Sequence, residues 1–177
     1  GSGVVSGLDL LQSLADLGAG YITTRGVSAE LVTMSLQATL ESWQEENLLD
    51  VTFAPSKDVR SLQNQIAKKV PRPGRNDVAL ICVARSTDSV LLTHDTGAAG
   101  FARAAKVVTM DLLDVGSFLI QRGKLTAATV EAVLSPFNNP GAFRPADWLG
   151  SAQSTLLARP HLEDLHADLQ RRLEAGA

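Results

Sequence analysis

The chain has 177 residues, 45% of them apolar and 20% charged, the balance of a soluble globular protein with enough length to bury a core. A net charge of −3 excludes a global basic field of the kind that coats DNA, but leaves room for a local basic rim around an acidic centre. A single cysteine, Cys82, excludes a disulfide framework within the chain and reads as a small buried hydrophobe. No apolar run approaches the roughly 18 residues of a membrane span and no signal peptide is visible, so no membrane association and a cytoplasmic location are expected.

The predicted elements alternate helices with short apolar strands. Residues 8–17 set Leu8, Leu11, Leu14 and Leu17 on one helical face, closed by Gly18 and Gly20. A short strand covers 20–24. Ser28 reads as the N-cap of a helix to about Glu46, with Leu31, Met34, Leu36 and Leu40 available for packing. Residues 48–54 form the next strand, punctuated by Pro55 and Ser56, and 57–70 is an amphipathic helix with Val59, Leu62 and Ile66 inward. Pro71-Arg72-Pro73-Gly74 is a breaker. Asn76 or Asp77 caps a helix to about Arg85, 90–93 is a buried strand, 97–105 a short helix and 106–109 a fourth strand. Helices over 111–122 and 126–135 flank Gly123, 138–145 is a loop, and Trp148 starts another apolar patch. A tail helix over 160–174 spaces Leu162, Leu165, Leu169 and Leu173 on a narrow face, predicted to pack on a partner or a second copy of the chain. Four short strands among helices imply an α/β fold with a small, mostly parallel central sheet.

The stretch 76–95 carries the most chemistry. Asp77 opens its helix and Asp95 closes its strand. An acid just past the C-terminal end of a buried strand sits where open α/β sheets put their ligands. Two carboxylates at that rim suit a divalent cation.

Arg75-Asn-Asp-Val-Ala-Leu-Ile-Cys-Val-Ala-Arg, followed by Leu-Leu-Thr-His-Asp95 and Phe101-Ala-Arg-Ala-Ala-Lys-Val-Val, resembles the C-terminal half of a PIN domain. Tyr21-Ile-Thr-Thr-Arg-Gly-Val-Ser-Ala-Glu30-Leu is similar to that family's strand leading into a helix with an early Glu. The resemblance implies a PIN-like domain over 1–125 and a C-terminal helical extension over 126–177 packed on it, like those of some bacterial toxin–antitoxin ribonucleases. It implies a Mg²⁺- or Mn²⁺-dependent endoribonuclease, a hydrolase of phosphodiester bonds, with Glu30, Asp77 and Asp95 as metal-holding catalytic acids. Asn76 and Thr93 would orient a ligand or the attacking water. RNA is the implied substrate, and an antitoxin protein and self-association are the implied partnerships.

A basic cluster of Lys68, Lys69, Arg72 and Arg75 precedes Asp77 and would hold the RNA backbone, with His94, Arg103 and Lys106 as further rim candidates. Lys68 and Lys69 equally suit a helix C-terminus. The family's first strand, which carries its first acid, has no counterpart before residue 8. Only Gly1-Ser-Gly-Val-Val-Ser-Gly stands there, and Asp9 falls inside the first helix. This departure leaves a second reading: a catalytically inactive PIN-like module that binds RNA or a protein. Each acid also has a purely structural role open to it: Asp77 as an N-cap, Glu30 as a first-turn acid favoured by the helix dipole, Asp95 as a turn or helix cap. His161 and His166 lie five positions apart, wrong for a same-face metal pair, and read as solvated. Trp43, Phe143 and Trp148 read as packing residues.

Overall fold

The structure, a computed structural model, describes residues 3–33, 37–66, 74–134 and 161–176. Lys68, Lys69, Arg72, Phe143, Trp148 and the 138–145 loop lie outside the described residues, as does the side chain of Glu30. In chain order the elements are α1 (Gly3–Asp16), β1 (Tyr21–Thr24), α2 (Arg25–Thr33), α3 (Gln37–Glu45), β2 (Leu49–Thr52), α4 (Ser56–Ile66), α5 (Arg75–Ser86), β3 (Leu91–Leu92), α6 (Thr96–Ala104), β4 (Thr109–Met110), α7 (Leu112–Gln121), α8 (Ala127–Leu134) and α9 (Leu162–Gly176). The chain is therefore mixed α/β. It forms two compact units, Gly20–Thr109 and the two flanking stretches Gly1–Ala19 and Met110–Ala177.

Helix ends follow one rule. After α1, α3, α5, α6 and α7 the chain turns through a left-handed residue: Gly18, Asn47, Asp88, Lys106 and Gly123. The next amide reaches back to the helix, as from Leu48 N to the Trp43 carbonyl (2.8 Å), Ser89 N to Ala84 (2.8 Å) and Val107 N to Ala102 (2.9 Å). This is the Schellman closure, which satisfies carbonyls the helix leaves open. It corrects the reading of 106–109 as a strand: Lys106, at φ 62°, is the helix terminator, and β4 begins only at Thr109.

In the Gly20–Thr109 unit, β1 runs parallel to β2 with Tyr21 beside Leu49 and Thr24 beside Thr52. Tyr21 N donates to the Leu48 carbonyl at 2.8 Å, and the Tyr21 ring stacks on Trp43 at 5.6 Å, so Trp43 is a packing residue. β3 neighbours β4, with Leu91 N donating to the Val108 carbonyl at 2.9 Å. Among the described residues the strands form two separate pairs rather than one sheet. β3 and β4 hold two residues each, too short for a longer ladder. Both pairs are served by α5, which packs on β1 and on β3. Val59, Leu62 and Ile66 of α4 meet Val78, Ile81 and Cys82 of α5 in the core, joined by Leu91, Ala102 and Val107. The inward face of α4 is thus the one its periodicity predicted. Burial pushes the Cys82 thiol up, against the opposing pull of Arg85, so this thiol is an inert core group rather than a nucleophile.

The other unit is helical. α1 contributes Leu10 and Leu14, α7 contributes Leu113, Val115, Phe118 and Leu119, and α8 contributes Val130. α1 packs on both α7 and α8. Gly116 is required where α7 meets α8, because a Cβ there would overlap Val130 Cγ1. Val4 and Val5 lie within α1 and are helical. The tail helix α9 buries Leu162, Leu165 and Leu169, leaves Leu173 half-buried and packs on α7, so most of the leucine face expected to meet a partner is covered within the chain. No described helix is long and apolar enough to cross a membrane.

Candidate functional site

Three elements of the Gly20–Thr109 unit carry the acids singled out in the sequence. α2 starts three residues earlier than Ser28. Thr24 Oγ1 accepts from Val27 N at 3.4 Å, a β-to-α junction in which the last strand residue caps the helix. Glu30 therefore sits in the second turn of α2. The helix-dipole explanation for an acid weakens there, since that effect fades beyond the first turn.

α5 starts at Arg75, one residue before the earliest cap suggested by sequence. Gly74 occupies the N-cap position with extended backbone and no side-chain cap. Asp77 is thus the third helical residue and not the N-cap, and its Oδ2 turns back toward Gly74, 3.9 Å from where a Cβ would stand. Asn76 lies against Gly26 of α2, so closely that a Cβ at Gly26 would overlap its side-chain amide. That approach brings the first turn of α5 beside the first turn of the helix carrying Glu30. Arg75 is exposed at the same end.

Asp95 follows β3 and caps α6. Its Oδ1 accepts from Gly97 N at 2.8 Å and from Ala98 N at 3.1 Å. Thr93 Oγ1 accepts from Asp95 N at 3.1 Å, so Thr93 fixes the backbone of the acid instead of its carboxylate. Both cap bonds use one oxygen, which aims the carboxylate and leaves Oδ2 as the donor available to a cation. His94 is half-buried, and Arg103 reaches Thr109 Oγ1 at 3.2 Å from an exposed position. Because α5 packs on both β1 and β3, it is the shared neighbour of the segments that carry these residues. Hard oxygen donors of this kind fit Mg²⁺ or Mn²⁺. Among the described residues no three His, Cys, Asp or Glu side chains converge on a cation position.

A second polar cluster, missed by sequence reasoning, lies in the helical unit. Asp111 and Asp114 form a reciprocal cap on α7: Asp114 N donates to Asp111 Oδ1 and Asp111 N to Asp114 Oδ2, both at 2.9 Å. The Asp114 side chain, only 4% exposed, also meets His161 Nε2 at 2.7 Å. His166 is 9% exposed, packs edge-on against Phe118 at 5.6 Å, and has its Nε2 buried without a hydrogen-bond partner among the described residues. Burial lowers the His166 pKa; Asp114 pulls it up and His161 pushes it down. Neither histidine is simply solvated, contrary to their reading as tail-helix surface. Asp-x-x-Asp before an apolar run, and His166 between Leu162 and Leu169 on the leucine face, are the sequence signals that point to these positions.

No protein-family model, curated protein or solved structure matches the chain.

Proposed function

We propose that this chain is a PIN-like, divalent-metal-dependent endoribonuclease whose acids are Glu30, Asp77 and Asp95. The observation that carries the reading is the close approach of Asn76 to Gly26, which sets the first turn of α5 beside the helix of Glu30. The same α5 runs along β3, and the strand exit beyond it carries Asp95. The dipole explanation for Glu30 also loses force, since Glu30 is not in a first turn, whereas Asp77, though not an N-cap, stays in the first turn of α5 where the helix dipole favours an acid. The residues that would hold Mg²⁺ or Mn²⁺ are Asp77, Glu30 and the Oδ2 of Asp95. When bound, the metal activates water and offsets charge on the phosphate. Asn76 would orient a ligand and Arg72, Arg75, His94 and Arg103 would engage the RNA backbone. An antitoxin protein and a second copy of the chain are the proposed partners.

The test is cleavage of single-stranded RNA in Mn²⁺ by wild type, Asp77→Asn and Asp95→Asn. Each substitution is expected to lower the rate by about a hundredfold or more, with the melting temperature little changed. Equal rates in all three proteins would refute the assignment.

The second reading, a silent module that binds RNA or a protein, is favoured by two observations. The segment before residue 8, where the resemblance looks for the family's first acid-bearing strand, belongs to α1 and is helical at Val4 and Val5. The two strand pairs without a joining strand among the described residues accord with a sheet lacking that strand. RNA binding without cleavage in Mn²⁺ would decide for it.

A further inference from the structure

β1 and β2 end in register, Thr24 beside Thr52, and the next residue of each chain stretch makes an exposed pair. The Arg25 guanidinium lies over the Phe53 ring, 4.3 Å from its centroid. Phe53 is nonetheless 65% exposed, the most open large apolar side chain among the described residues. Arg25 is exposed as well. A ring this open gains little from burial, and nothing in the core depends on it. It sits one residue beyond the C-terminal end of a strand, the side on which α/β sheets take ligands. The residue after Arg25 is Gly26, against which Asn76 packs, and Asn76 is flanked by Arg75 and Asp77. Through the Gly26–Asn76 contact this pair neighbours the first turn of α5, which carries Arg75, Asn76 and Asp77.

We infer that Phe53 and Arg25 form a stacking platform for a base of single-stranded RNA, seating the strand so that its backbone crosses the first turn of α5. The inference rests on the ribonuclease reading for its ligand class and deepens it by naming where a base is held. Aromatic and guanidinium planes are the groups that grip unstacked bases, tolerating any sequence because every base offers a π-face. A protein ligand fits less well. The buried centre of a protein interface is enriched in apolar groups, whereas among the described residues the other exposed large apolar side chains are Val108 and Ile22, and Ile22 is aligned with Asp50, on the alternate side of the pleat.

The experiment is fluorescence anisotropy with a labelled single-stranded oligouridylate in EDTA, so that binding is read without cleavage. It compares wild type, Phe53→Ala, Phe53→Trp and Arg25→Ala, with cleavage in Mn²⁺ and sedimentation measured in parallel. Phe53→Ala is expected to weaken binding by about tenfold or more, and Phe53→Trp to keep it. Arg25→Ala should also weaken binding, with a smaller salt dependence. An unchanged affinity in Phe53→Ala overturns the platform, and if wild type still cleaves RNA the ribonuclease reading survives without it. Phe53-dependent binding in a protein that does not cleave upholds the platform and sinks the nuclease. A wild type that binds no RNA, or a Phe53→Ala variant altered only in self-association, overturns the platform.

Discussion

Asp95 shows how one side chain can serve both fold and site. Its Oδ1 holds the amides of Gly97 and Ala98, a cap whose loss costs about 1 kcal/mol. Asparagine can keep both bonds through its carbonyl oxygen, so Asp95→Asn should leave thermal stability close to wild type while Asp95→Ala lowers it by that amount. Both remove the anionic donor. Denaturant unfolding separates the two roles, and equal losses of stability in both variants would mean the cap bonds matter little. His166 gives a second residue-scale prediction. Burial sets its folded pKa below the ordinary 6.5, so the unfolded chain binds the proton more readily. Its contribution to stability is complete above about pH 6.5 and is lost as pH falls through that value toward the folded pKa. His166→Leu should therefore flatten the decline in melting temperature between about pH 7.5 and 5.5; a constant offset across that range would contradict it. At this scale the placement of Asp77 near the start of a helix and of Asp95 just past a strand was legible, because both follow from element order. The Asp114–His161 pair was not, since its members lie 47 positions apart and meet only through the packing of α9 on α7.

Helices were legible as elements because their apolar spacing is a local property, and Val59, Leu62 and Ile66 are buried as that spacing required. Their ends were less so. Gly18 and Gly123 announce a left-handed terminator, whereas Asn47, Asp88 and Lys106 adopt the same conformation with only the Asn and Asp giving any local hint. Strand pairing depends on which edges meet, a tertiary matter, which is why an expected single sheet resolves into two pairs. The α7–α8 crossing likewise turns on a glycine whose neighbour is distant in sequence. Gly116→Ala should destabilise by about 1–3 kcal/mol, because the added methyl enters the space of the fully buried Val130. The double variant with Val130→Ala makes room for it, so its loss should be smaller than the two single losses added together. Strict additivity in denaturant titrations would show that the two helices do not meet through this pair.

On the scale of the whole molecule, chain order and packing part company. α1 at the start buries Leu10 and Leu14 with α7 and α8, more than ninety residues later, while the stretch between them builds a core of its own. A linear pass carries no signal for this, because each helix looks locally complete whatever covers its apolar face. The consequence is an asymmetry in what can fold alone. Val59, Leu62, Ile66, Val78, Ile81, Leu91, Ala102 and Val107 all come from within Gly20–Thr109, and so do both partners of β1–β2 and the α4–α5 packing. The helical unit instead draws its core from two chain segments that nothing local connects. A polypeptide of residues 20–109 should therefore unfold cooperatively by circular dichroism, since the apolar contacts that reward its ordering are present in full. A polypeptide of 110–177 should not, because it lacks the Leu10 and Leu14 side chains that α7 and α8 close upon, and adding a peptide of residues 1–19 should restore its helicity. A 20–109 polypeptide with no cooperative transition would mean that this core draws its stability from outside the segment.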